Sequence, residues 1–124
     1  MTHTQAIKSL LTTSDKPKAI GFVRNDVSGL DAPRHATDVQ RHARKLGYQY
    51  VYTVRPPADV DPIGYALGIA AGLGVEVIVV FDLGQVDCLP ALICDEGFDL
   101  ETVCPQGMWA RSAQPRPGVE MGAA

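Results

Sequence analysis

The sequence predicts an α/β fold: an open, mostly parallel, four-stranded sheet between two helical layers. Three observations carry this. Two apolar segments without alternation, "KAIGFVR" (18–24) and "VEVIVVF" (75–81), read as strands buried on both faces, which is how parallel strands covered by helices look. Segments of helical period separate the strand-like ones, in the order β-α-β-α-β-(α)-β. The chain has 124 residues, 46% hydrophobic and 20% charged, which suits one globular domain with one real core.

Residues 1–18 are polar apart from a weak amphipathic run, Ala6, Ile7, Leu10 and Leu11, and are expected to be a flexible arm. The first strand follows in "KAIGFVR" and breaks into Arg24, Asn25 and Asp26. "SGLDAP" is a loop in which Asp31 is placed to cap a helix and Pro33 suits its first turn. That helix runs from about Ala32 to Leu46. Ala36, Val39, Ala43 and Leu46 form its apolar stripe, and Gly47 stops it. "YQYVYTV" (48–54) is rich in aromatic and β-branched residues, hence a second strand. Asp61 and Pro62 begin a second helix that ends near "GLG", and "VEVIVVFDLG" is the third strand. "PALICDEG" is a short helix ended by Gly97, and "FDLETVCP" a fourth strand. The core domain is expected over 19–111. The Pro-, Gly- and Ser-rich residues 112–124 read as a disordered tail.

Composition narrows the function. Net charge is −3, so attraction to nucleic acid by overall charge is disfavoured. Three cysteines, Cys88, Cys94 and Cys104, make no even disulfide set, and "MTHTQAIKSLL" lacks a continuous apolar leader core. Reduced thiols, buried and structural, in a cytoplasmic protein are the expectation. The long apolar run 62–81 is broken by "GLG" and Glu76 and reads as helix–turn–strand rather than a membrane span.

Ligands of open α/β sheets collect at the carboxyl ends of the strands. That edge is expected to carry Arg24, Asn25, Asp26 and Ser28 after the first strand, Arg55 after the second and Asp82 after the third. An arginine among carboxylates suits a phosphate or a metal–phosphate pair. No glycine-rich phosphate loop follows the first strand, and loop polarity alone also explains these residues. Gly64, Gly68 and Gly72 form a smooth stripe on the second helix. Close packing on the sheet explains it, and so does close approach of a partner helix in a homodimer. His35 and His42 flank the core stripe of the first helix and read as boundary histidines. Arg34, Arg41, Arg44 and Lys45 form a basic, solvated face on which Asp38 pairs with Arg34 or Arg41 at helical spacing.

With these pieces in place, the chain resembles the N-terminal catalytic domain of the serine recombinases, the resolvase/invertase family, over about 19–105. "GFVRND…DVQRHARKLGY" is similar to that family's opening strand, roughly Y-x-R-V-S, and the helix after it. "VIVVFDLGQVD" resembles its V-x-V-x-x-L-D-R-L-x-R strand, and "GFDLETVCP" the strand that follows. The resemblance implies a chemistry in which serine bonds to a DNA phosphate and an arginine cluster neutralises it. The residues depart from that pattern. Phe22 stands at the tyrosine, Arg24 matches the first arginine, and Asp26 falls where the serine would be. Ser28 replaces it only with a shift of two residues. Asp82 stands near the motif's aspartate, but Leu83, Gly84, Gln85 and Val86 follow it instead of arginines. The residues after Pro105 do not resemble the family's dimerising helix and DNA-binding module. The sequence therefore points to a degenerate, catalytically inactive domain without cofactor or metal, serving as an interaction or regulatory module. Its expected partner is a protein or a second copy, with DNA and membrane disfavoured. A small-ligand domain holding Mg²⁺ or phosphate at Arg24, Asp26 and Asp82, similar to a response-regulator receiver, is the alternative. The absence of lysine after Lys45 counts against it.

Overall fold

A computed structural model describes residues 16–112. The expected arm and tail fall almost entirely outside them. The elements are β1 (Lys18–Phe22), α1 (Asn25–Ser28), α2 (Ala32–Lys45), β2 (Gln49–Val54), α3 (Pro62–Leu73), β3 (Val77–Val80), α4 (Ala91–Cys94), β4 (Asp99–Thr102) and β5 (Gly107–Trp109). Strand order is β2-β1-β3-β4-β5. The first four strands are parallel and β5 runs antiparallel to β4.

The four expected parallel strands are present, and β5 is an addition. Residues 107–109 fall in a stretch read as loop and tail. Three residues, Gly107, Met108 and Trp109, are too few to show a period, and they become a strand by pairing Leu100 with Trp109 and Thr102 with Gly107.

β1 and β3 lie inside the sheet, and two apolar clusters cover its faces. Ala19, Val77 and Val79 pack with Val39 and Ala43 of α2 on one face. Ile20, Phe22, Ile78, Val80 and Leu100 pack with Ile63, Ala66 and Ala70 of α3 and Ile93 of α4 on the other. The unbroken apolar runs of β1 and β3 thus split, residue by residue, between two helical layers. Truncating Ile78, which is fully buried, removes about 2–5 kcal/mol of stability.

Local chemistry explains the helix ends. Asp61 caps α3 by accepting the Gly64 N–H at 3.2 Å, with Pro62 in the first turn. Asp31 precedes α2 without making a capping hydrogen bond, contrary to expectation. A 3-10 turn over Gly29–Asp31 leads straight into α2, so the chain already turns helically there. The solvated face of α2 holds, but the expected apolar stripe holds only at Val39 and Ala43: Ala36 is half-buried, Leu46 is exposed just past the helix, and Ala32 and His35 complete the buried face instead. Asp38 lies 3.6 Å from Arg34 and 3.5 Å from Arg41.

The glycine stripe of α3 does not pack on the sheet. A Cβ at Gly68 or Gly72 would meet nothing within 4 Å, and one at Gly64 would meet only the Asp61 cap. The close approach that does need glycine is in β1. Tyr50 reaches across Gly21 to Thr53, with 2.6 Å between the two hydroxyl oxygens. A Cβ at Gly21 would collide with the Tyr50 hydroxyl and with Val39.

Candidate functional site

In a sheet ordered 2-1-3-4, the chain leaves β1 in one direction and β3 in the other, so a crevice opens between their carboxyl ends. Here the molecule fills that crevice itself. Gln85, fully buried, comes from the 3-10 turn after β3 (Leu83–Val86). Its Oε1 accepts the Arg24 N–H at 2.7 Å and its Nε2 donates to Ser28 Oγ at 2.9 Å. A backbone N–H can only donate, so this amide has a single consistent orientation. Ser28 Oγ lies 2.8 Å from His35 Nδ1, and both residues are 8% exposed. The His35 ring stacks on Phe81 with centroids 3.8 Å apart, and the Arg34 guanidinium lies over the same Phe81 ring.

Arg24 stands in front of this network. Its guanidinium forks over the Asp26 carboxylate, with Nε donating to Oδ1 at 3.1 Å and Nη2 to Oδ2 at 2.8 Å. Nη1 donates to Asp87 Oδ1 at 2.8 Å and to the Gln85 carbonyl at 3.3 Å. Two carboxylates thus share one guanidinium. The hydrogen bonds from Arg24 hold the Asp26 carboxyl below the usual carboxylate range, and those carboxylates push the Arg24 guanidinium up. Asp87 and Cys88 hold left-handed backbone, φ 56° and 59°, so the turn that delivers Asp87 to Arg24 is a strained one.

The expected site residues therefore fall into three groups. Arg24 and Asp26 are bonded to each other. Asn25 Oδ1 accepts from Arg55 Nη2 at 3.0 Å, joining the ends of β1 and β2. Ser28 points inward and belongs to the Gln85–His35 network. Asp82 joins none of these, and its Oδ1 is buried without a hydrogen-bond partner. Among the described residues, no set of three or more His, Cys, Asp or Glu is placed to hold a metal ion. A cleft of about 390 Å³ remains open on the β2 side, lined by Arg24, Asn25, Asp26, Pro56, Pro57 and Pro62 among others.

Two expectations about single residues change. His35 is buried rather than at a boundary, because Ser28 and Phe81 supply it with a polar and a stacking partner. His42 keeps a boundary position, half-buried with Nε2 3.6 Å from the buried Glu101 carboxylate. Tyr48 donates to that carboxylate at 3.2 Å, and burial, then the Glu101 charge, pushes its phenol up to about 12. Of the cysteines, only Cys94 is buried. Cys88 and Cys104 are exposed thiols, in the loops after the second 3-10 turn and after β4. Gln85 and Asp87 were not singled out by the sequence. They lie about sixty positions from Arg24, and nothing in "DLGQVD" announces which side chain turns inward.

The fold is that of serine recombinase catalytic domains. The chain is similar to a resolvase family site-specific recombinase from Streptococcus pneumoniae (TM-score 0.58, 16% identity, 87% of this chain and 84% of that one). It is also similar to the C-terminal catalytic domain of ISC1926 TnpA, an IS607-like serine recombinase (TM-score 0.54, 16% identity, 69% of each chain). No protein-family model and no curated protein sequence matches the chain.

Proposed function

We propose that this chain is a catalytically silent, serine-recombinase-like domain that works as a protein-interaction or regulatory module. One observation carries the reading: Asp26, which falls where the resembled family has its serine, holds the arginine that should meet the phosphate. Arg24 is bound on one side by Asp26 and on the other by Asp87. A phosphodiester approaching it meets two negative charges against one positive. Cleavage of a phosphodiester by a hydroxyl needs an accessible nucleophile and positive charge where the phosphate's charge develops. Ser28 offers a buried oxygen already engaged by Gln85 and His35.

The basic face of α2 gives little support to a DNA partner. Arg34 and Arg41 lie beside Asp31 and Asp38, and the chain is net negative. A protein partner or a second copy fits better. The exposed thiols of Cys88 and Cys104 suit a reducing, cytoplasmic setting. No described helix is long and apolar enough to cross a membrane.

The open cleft beside Arg24, Asn25 and Asp26 favours a second reading, a small-ligand site for phosphate or Mg²⁺. Two assays separate them. The chain is incubated with supercoiled DNA, denatured, and examined for a covalent protein–DNA adduct. None is expected, and an adduct lost in Ser28→Ala would overturn the silent reading. Thermal unfolding with millimolar Mg²⁺ or inorganic phosphate is expected to be unshifted. A stabilisation that disappears in Asp26→Ala or Asp82→Ala would establish the ligand reading instead.

A further inference from the structure

β2 ends the sheet, and no charged residue or proline within it guards the edge. Edge strands usually carry lysine, proline or an inward charge against unwanted pairing. Gln49–Val54 has none of these, and its outer backbone edge pairs with no described strand. The strand also carries an irregularity. Ala19 pairs with Tyr50 and Ile20 with Tyr52, so Val51 is an extra residue in the register. The bulge brings Val51 and Tyr52, neighbours in sequence, to one groove of about 410 Å³, completed by Ile69, Gly72 and Leu73 of α3. Val51 is 38% exposed and Tyr52 53%.

α3 continues this surface. Its outward positions are Gly64, Tyr65, Gly68, Ala71, Gly72 and Leu73, and no residue from Pro62 to Leu73 is charged. A helix facing water normally shows a charged or polar stripe there. Each glycine costs about 1 kcal/mol against alanine in a helix, and among the described residues no packing requires Gly68 or Gly72.

Building on the interaction-module reading, we propose that this face joins two copies of the chain about a two-fold axis. β2 pairs antiparallel with β2 of the second copy. The two α3 helices lie on the same side of the continued sheet, with both Tyr52 side chains between them. Charge selects the second copy as occupant. A two-fold contact sets each residue against a duplicate of the same surface, so any charged group near the axis opposes its own kind. β2 and α3 together present eighteen residues without one formal charge, and the cation at their margin, Lys18, has its ammonium taken up by the Leu73 carbonyl at 3.2 Å. The unpaired strand edge supplies backbone donors and acceptors that an antiparallel copy satisfies, and Gly68 and Gly72 let the helices come close.

Sedimentation velocity of the full chain, from micromolar to millimolar concentration, tests this beside Val51→Lys and Tyr52→Lys. The wild type is expected to form a concentration-dependent dimer. Each lysine variant is expected to weaken dimerisation by about tenfold or more, as for loss of a buried interface anchor. Circular dichroism should show both variants folded with melting curves like the wild type's, because both side chains are already exposed. A wild type monomeric throughout would overturn the proposal, as would a dimer that survives both substitutions, since another face would then hold it. A groove occupied by the chain's own residues 1–15, detected as an intramolecular cross-link to a cysteine placed at Leu73, would overturn it too. The DNA-adduct assay reads the silent-domain proposal separately: a monomer that forms no adduct removes only the dimer.

Discussion

The carboxyl-end rim of the sheet and its β2–α3 flank solve opposite problems. At the rim, polar and charged groups are dense, and nearly all face one another. Gln85 bridges Arg24 and Ser28, Arg24 bridges Asp26 and Asp87, and Arg55 reaches Asn25. On the flank neither β2 nor α3 carries a charged side chain, the strand edge pairs with no described strand, and apolar side chains stand in water. A buried polar group that has found its partners is held by what its exposure would cost, about 1–3 kcal/mol. An apolar group in water gains by being covered, about 25 cal/mol per Å². The rim therefore behaves as part of the scaffold, and the flank as the part with something left to bind.

If the rim is scaffold, breaking it should unfold the protein before it alters any binding. Within the rim, Gln85→Leu is the most damaging change. It strands the Arg24 N–H and one side of Ser28 and should cost about 2–3 kcal/mol, read as a lower urea midpoint. A midpoint unchanged by Gln85→Leu would show that the rim is not structural. Gly21→Ala comes next. Its methyl displaces Tyr50, so strain of about 1–3 kcal/mol should appear in the same assay and should disturb β2 above all. Ser28→Ala removes the oxygen shared by Gln85 and His35 and should cost about 1–2 kcal/mol.

The smallest effect concerns acid. Hydrogen bonds from Arg111 and Arg24 hold the carboxyls of Asp99 and Asp26 below the ordinary range. A carboxyl depressed in the folded state stabilises fully above the unfolded value of about 4, and that contribution is lost as pH falls through the folded value. Unfolding temperature should therefore decline below about pH 4. Asp99→Asn should flatten the decline more than Asp26→Asn, because the Asp99 side chain is 16% exposed and that of Asp26 61%, where solvent screens the pair. An equal or reversed effect would place the stronger ion pair at the rim.

Much of the fold is legible in the sequence, because local chemistry dictates it. The unbroken runs Ala19–Phe22 and Val77–Val80, the Asp61–Pro62 cap and the Asp38 pairs of α2 all follow from neighbours within a few residues. The rim is legible only in part. Arg24, Asn25, Asp26 and Ser28 are identifiable as a strand ending, but what they bind comes from sixty residues away, through Gln85 and Asp87. Helical spacing says that Gly64, Gly68 and Gly72 share a face. It does not say whether that face meets the sheet or water, and here Gly68 and Gly72 meet open space. β5 is fixed by its pairing with β4, which three residues cannot announce.

Backbone amide chemical shifts, mapped by two-dimensional NMR, test the contrast between rim and flank most directly. The same sample is titrated with inorganic phosphate at fixed protein concentration, then concentrated without it. Phosphate is expected to leave Arg24, Asn25, Asp26, Ser28 and Gln85 unmoved, while concentration shifts Val51, Tyr52, Gly68, Gly72 and Leu73. Saturable phosphate shifts at Arg24 and Gln85, with a flank indifferent to concentration, would contradict it.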